Sequence, residues 1–169
     1  MCVVIDTQLF SAVTEPNNSK HDDMAPVIDW VRNGKGKIVH GGTKYAKEIK
    51  KHGKFLRLLT ELSKVSKVVN IHTKDVDNTQ DYLETLIQKT NTFDDHHVVA
   101  VLIVSGCILV CSEDDGFNKL LRKCFEKSTL AKIKKVCPYN GNNTRPKIYK
   151  KKNQASNLLV DSNISNCCK

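Results

Sequence analysis

Apolar residues along the chain fall into two alternating rhythms. Four short runs, CVVID at 2–6, KIVHGG at 37–42, KVVNI at 67–71 and CILVC at 107–111, are rich in β-branched residues with little polar alternation. That pattern predicts strands buried on both faces. Longer segments between them repeat their apolar residues three and four apart, as one face of a helix does. NNSKHDD reads as a loop, and MAPVIDWVRNG after it predicts a helix, with Pro26 early, Val27, Ile28 and Val31 on one side and Gly34 as the stop. Thr43 is placed to cap KYAKEIKKHG. KFLRLLTELSKVS follows with Leu56, Leu58, Leu59 and Leu62 at helical spacing, and DVDNTQDYLETLIQKT predicts an acidic helix burying Leu83, Leu86 and Ile87. A helix from near Asp95 to Gly106 leads into the fourth strand, and DGFNKLLRKCFEK predicts another helix.

Strands alternating with helices predict an α/β protein, a three-layer α/β/α sandwich around a mostly parallel sheet of four or five strands with right-handed crossovers. Beyond about Lys132 the pattern thins. KIKKVC fits an edge strand, PYNGNNTRP is turn chemistry, and YKKKNQASNLLVDSNISNCCK is polar apart from ASNLLV, which fits a docking turn. The expected organisation is one domain over 1–137 and a basic, polar, partly flexible tail over 138–169.

A length of 169 residues suits one domain with a proper core. No apolar run reaches the roughly 20 residues that a bilayer span needs, so no membrane partner is expected. The opening MCVVIDTQLF has no basic stretch and carries Asp6, unlike a signal peptide. The seven cysteines then read as reduced thiols of a cytoplasmic protein. Neither the Cys107/Cys111 spacing nor the adjacent Cys167 and Cys168 matches a zinc site. Trp30, the only tryptophan, sits on an amphipathic helix and reads as core.

The net charge of +9 is uneven. Lys119 to Lys152 holds twelve Lys/Arg against Glu126 alone, a balance of +11, and 34–67 holds ten against Glu48 and Glu61, or +8. The remainder has five basic residues and fifteen acids, or −10. Basic fields on an acidic remainder point to a polyanion, with Arg145, Lys147, Lys150, Lys151 and Lys152 the expected nucleic-acid contacts. For 34–67, a solvated lysine-rich helix face explains the charge equally well. Tyr139, Tyr149 and Arg145 have two readings, stacking on bases or pinning the tail to the domain.

Functional residues of a parallel α/β sheet gather at the carboxyl ends of its strands. Asp6 follows the first strand, Glu48 lies early on the helix after the second, and Asp114 follows the fourth. Asp95 joins them if its helix begins at the same edge. Four such carboxylates repel one another unless a cation sits among them. Oxygen donors without clustered thiols or imidazoles favour Mg²⁺ or Mn²⁺ over zinc. His96 and His97 admit a catalytic or substrate-contacting role, or simply a place on a helix surface.

These residues resemble a family. VVIDTQLF is similar to the first motif of PIN-domain nucleases, where a strand ends in Asp-Thr-Asn. KYAKEI resembles the helix carrying that family's glutamate, DDHHVVAVLIVSG its Asp-x-x-Ile-x-Ala helix, and LVCSEDDGF its Thr-x-Asp-x-x-Phe motif, matched by Ser112, Asp114 and Phe117. The resemblance runs over roughly 2–125 in the family's order. It implies that Asp6, Glu48, Asp95 and Asp114 bind the metal, with Ser112 supporting the last. It implies hydrolysis of RNA by an activated water, with no covalent enzyme intermediate. Gln8 stands where asparagine is usual, and its longer amide still reaches an acid. Asp94 reads as a supporting acid and Asp115 as a solvated helix start. By the same analogy the expected roles are a toxin, a bacterial defence effector or an RNA-processing enzyme, and the expected protein partners a second copy of the chain or an antitoxin or defence-complex protein.

Two other functions compete with the metal-dependent endoribonuclease. One is a PIN-like scaffold that binds nucleic acid without cutting it. The other is a phosphotransfer enzyme or receiver. A dehalogenase-like phosphatase needs an aspartate where Gln8 stands, and a receiver begins with adjacent acids where Asp6 stands alone. No GxGxxG or P-loop pattern supports nucleotide binding.

Overall fold

A computed structural model describes residues 1–88, 94–137 and 145–159. Strands β1 (Cys2–Ile5), β2 (Lys37–Gly41), β3 (Val68–Ile71), β4 (Leu109–Cys111) and β5 (Lys147–Tyr149) form one sheet in the order β3-β2-β1-β4-β5. Every neighbouring pair is parallel, with Val3 opposite Ile38, Ile5 opposite Cys111, and Cys111 opposite Tyr149. β1 and β4 are buried throughout, as their apolar runs require, whereas edge strand β3 is partly exposed. The chain walks outward from β1 to β3, then returns to the other side of β1 for β4. Direction therefore reverses between β1 and β4, where open parallel sheets leave a crevice at their carboxyl edge.

A 3₁₀ turn at Thr7–Leu9 leads from β1 into α1 (Phe10–Thr14), and α2 (His21–Asn33) returns to β2. Helices α3 (Thr43–Lys51) and α4 (Gly53–Lys64) connect β2 to β3. α5 (Thr73–Leu86) and α6 (His96–Ser105) connect β3 to β4, and α7 (Asp115–Cys124) and α8 (Lys127–Val136) precede β5. A 3₁₀ turn at Lys152–Gln154 and the short α9 (Ala155–Leu158) follow. α1 packs on α2 and α4, while α5 packs on α6 and α8. The two sets fit opposite faces of the sheet under the right-handed crossover rule, an arrangement compatible with three layers. Among the described residues, no helix is long and apolar enough to cross a membrane.

Several elements differ from the sequence expectation. α2 starts at His21, inside the predicted loop, and contains Pro26; Asp22 and Asp23 lie in its first turn, where negative charge is favourable. Thr43 is not the cap of α3. That position belongs to Gly42, at φ +81°, where a Cβ would come within 2.6 Å of Val76. Thr43 is instead held from α5, with Asp77 accepting from its amide at 2.7 Å and from its hydroxyl at 2.6 Å. On α4, Leu56 is 42% exposed, and Phe55 takes the core position, stacked on Phe10 with ring centres 3.8 Å apart. Leu83 is fully buried, but Leu86 and Ile87 only partly.

KIKKVC is not an edge strand. It lies mostly in α8, where Leu130 and Ile133, three apart, face the core and Lys132, Lys134 and Lys135 stay exposed. The edge strand comes from 147–149, beyond the expected domain end at 137. Tyr149 is buried and donates to the Asp23 carbonyl at 2.9 Å, and the amide of Lys152 donates to Asp23 Oδ1 at 3.0 Å. Of ASNLLV, Leu159 is buried and Ala155 and Leu158 pack against the core, while Val160 lies outside the described residues. Tyr139, Cys167 and Cys168 lie outside the described residues. Trp30 is partly buried against the core.

Candidate active site

The carboxyl ends of β1 and β4 lie side by side, tied by the Asp6 amide donating to the Cys111 carbonyl at 2.9 Å. Asp6 is 1% exposed, and burying a carboxylate is expensive without strong donors. Two are supplied: Ser112 Oγ donates to Oδ2 at 2.6 Å and Gln8 Nε2 at 2.8 Å. Gln8 thus does reach an acid. Ser112, itself fully buried, also accepts the Asp114 amide at 3.3 Å. It therefore links the two strand-end aspartates. Asp114 caps α7, with Oδ1 taking the Gly116 amide at 2.7 Å and Oδ2 the Phe117 amide at 3.2 Å.

Asp95 stands immediately before α6, the helix that runs back toward β4. Burial pushes its carboxyl up to about 6, the Asp6 charge pushes the same way, and Asp114 adds to it; His97 and Lys44 act in the opposite sense. Carboxylates perturb one another this way only when close in a weakly screened place. Glu48 comes from α3. Burial pushes it up, but hydrogen bonds from His97 and Thr7 and the charges of His97 and Lys44 outweigh that and hold it below its usual range. His97 Nε2 lies 2.9 Å from Glu48 Oε2.

The flanking acids behave differently. Asp94 is exposed, and Lys44 Nζ bonds its carbonyl at 2.9 Å and Oδ1 at 3.2 Å. Asp115 points to solvent with Lys150 at 3.4 Å, as a helix-start acid should. The histidines do not lie on a helix surface. Both are buried, because α6 is buried at every position. His96 Nε2 bonds the Ile87 carbonyl at 2.8 Å and so ties the end of α5 to the start of α6. Sequence reasoning also passed over Tyr45, Lys44 and Thr7. Tyr45 is fully buried, its hydroxyl donates to the Ile5 carbonyl beside Asp6, and burial and then the Asp6 charge raise its pKa well above the ordinary value. Its signal was its position three residues before Glu48, on the same helix face.

The tail cations divide. Because all strands are parallel, Lys150, Lys151 and Lys152 leave the sheet at the edge that carries Asp6 and Asp114. Arg145 and Lys147 are exposed at the other end of β5, roughly 10 Å away along a three-residue strand. The sheet does not bring them to the acids.

Among the described residues, no three His, Cys, Asp or Glu side chains are placed to hold one ion directly. Mg²⁺ is commonly held by only one or two carboxylates and several waters, and hard oxygens are what this edge offers. A cation there would offset both the burial of the Asp95 charge, the larger cause of its raised pKa, and the repulsion from Asp6 and Asp114 that adds to it. The donor chemistry therefore fits a hydrated hard cation. No family model matches the chain, and neither a curated protein nor a solved structure matches it.

Proposed function

We propose that this chain is a PIN-like endoribonuclease that uses Mg²⁺ or Mn²⁺ to hydrolyse RNA phosphodiester bonds. The observation that carries the reading is the placement of Asp6 and Asp114 at the adjoining carboxyl ends of β1 and β4, where strand order reverses, with Ser112 bonded to both and Asp95, raised first by burial and then by the charge of Asp6, just before α6. When bound, a hard divalent ion supplies water activation and neutralises charge developing on the phosphodiester. Asp6, Asp95, Asp114 and Glu48 would hold it. Ser112 and Gln8 orient Asp6, while His97 orients Glu48. Lys150, Lys151 and Lys152, leaving the same edge, are suited to the RNA backbone. A role as toxin or defence effector, with an antitoxin-like or identical partner, belongs to the same reading by fold-level analogy.

A non-cutting nucleic-acid scaffold is the second reading. It draws support from the lack of three directly converging ligands among the described residues. Cleavage of end-labelled RNA with Mn²⁺ separates the two. Wild type should cut, and Asp6→Asn or Asp114→Asn should lose about a hundredfold or more, a few kcal/mol of charge stabilisation. If both variants cut as fast as wild type, the metal-acid reading is wrong. RNA binding without cleavage by wild type would establish the scaffold.

A further inference from the structure

His97 is the least expected residue at this edge. Its imidazole is 2% exposed, one nitrogen faces Glu48 at 2.9 Å, and Nδ1 is buried with no partner. A buried polar atom without a partner costs about 1–3 kcal/mol, so an apolar side chain would suit the surrounding helix better. Its neighbours in α6 from Val98 to Val104 are all apolar and buried. Something other than core packing accounts for an imidazole there.

The contact itself supplies the account. An ionised glutamate only accepts, so Nε2 carries the proton and donates to Oε2. The ring is enclosed on α6, with the Tyr45 ring tilted beside it at 6.1 Å between centres. Glu48 thus has one oxygen committed to a buried partner on another helix.

That restraint bears on which cation the edge accepts. Ca²⁺ takes six to eight oxygens in flexible geometry and is often held by a carboxylate using both oxygens at once. Mg²⁺ and Mn²⁺ are smaller, prefer six ligands, and are satisfied by single carboxylate oxygens plus water. A glutamate with Oε2 tied to His97 presents itself poorly to one ion through both oxygens. We propose that His97 is a positioning residue that keeps Glu48 to one-oxygen coordination and so sets the preference of the site for Mg²⁺ or Mn²⁺ over Ca²⁺. The inference rests on the metal-site reading above and adds to it a residue that selects the ion.

The test measures binding rather than cleavage. Mn²⁺ affinity is read by paramagnetic resonance of free Mn²⁺ at fixed pH, and Ca²⁺ affinity by its displacement of bound Mn²⁺. His97→Gln keeps an amide donor of similar reach, whereas His97→Asn is too short to reach Glu48, and both fill the site with a polar side chain. Near-ultraviolet circular dichroism confirms that each variant is folded. Wild type should favour Mn²⁺. His97→Asn should lower the Mn²⁺-to-Ca²⁺ affinity ratio about tenfold or more, in the range found when an outer-shell partner of a metal ligand is removed, and His97→Gln should retain most of it. A merely structural role would lower both affinities together and leave the ratio alone. Wild type that binds Mn²⁺, with an unchanged ratio in His97→Asn, overturns this inference alone. Wild type that binds neither ion overturns the metal reading and this inference with it. Should His97→Asn fail to fold, His97→Leu, which fills the apolar surroundings without a donor, is measured instead: a ratio about tenfold below wild type supports the assignment, and a ratio equal to that of wild type overturns it.

Discussion

Asp95→Asn should make the folded chain more stable at pH 8 when no divalent ion is present. The Asp95 carboxyl is raised from its ordinary 3.8 to about 6, first by burial and then by the charge of Asp6. Between those values the unfolded chain releases this proton and the folded chain keeps it. Stability therefore falls as pH rises through the interval, and the full penalty is present above about 6. A shift of about two units corresponds to about 3 kcal/mol. Asp95 is only partly buried, and solvent screening reduces that to about 1–2 kcal/mol. The side chain makes no hydrogen bond to the start of α6, so the asparagine forfeits only the attraction of a negative charge to the helix terminus, about 0.5 kcal/mol. A net gain of about 1 kcal/mol remains, worth a rise in Tm of about 2–4 °C for a chain of this size.

Urea unfolding in EDTA at pH 8 and at pH 4 measures this. The gain should be present at pH 8 and nearly gone at pH 4, where the folded carboxyl is already neutral. Millimolar Mn²⁺ at pH 8 should invert the order, because a ligand stabilises the form that binds it and wild type keeps its charge. An asparagine variant less stable than wild type in EDTA at pH 8, or one with the same gain at both pH values, would refute the crowding of carboxylates around Asp95.

Asp77→Ala should cost about 1 kcal/mol, seen as a Tm lower by about 2–4 °C, because the Asp77 carboxylate accepts from both the amide and the hydroxyl of Thr43 at the start of α3; an unchanged melt would remove it as a cap. Replacing Lys150, Lys151 and Lys152 together with glutamate should weaken single-stranded RNA binding at least tenfold at low salt and reduce the slope of log affinity against log salt by about 2, at about 0.7 per phosphate contact. An unchanged slope in filter binding would reduce these lysines to a solubility feature.

The sheet was legible because burial on both faces leaves a plain mark in composition. CVVI and CILVC are continuous apolar runs, and the strands they predict sit at the centre of the sheet. β5 carries no such mark. KIY at an edge has one buried residue, Tyr149, so periodicity had nothing to detect, and KIKKVC, with Ile133, Val136 and Cys137, drew the assignment instead. Strand-end acids are also readable, since position after a strand fixes the edge where they emerge. Their donors are not. Ser112 lies 106 positions from Asp6, and His97 lies 49 from Glu48. Such pairings come from packing, which spacing along the chain does not encode. Asp77, 34 positions from Thr43, replaced the local cap that turn chemistry predicts.

The burial of α6 explains why one end of it can hold so much polar chemistry. A helix apolar all round has no solvent face and no freedom to rotate against its neighbours, and here every residue from His96 to Ser105 is buried. Gly106, at φ +68°, ends it in the left-handed conformation and turns the chain into β4. The same post therefore fixes Asp95 at one end and delivers Ser112 and Asp114 beyond the strand that follows. His96 and His97 in its first turn are held as firmly, one on the carbonyl of Ile87 and the other on Glu48. Rotation or fraying of α6 would move Asp95, release Glu48 and loosen the link to α5 at once. Geometry at this edge is thus set by core packing rather than by the loops around it, as a site that must place charges to within a fraction of an ångström requires.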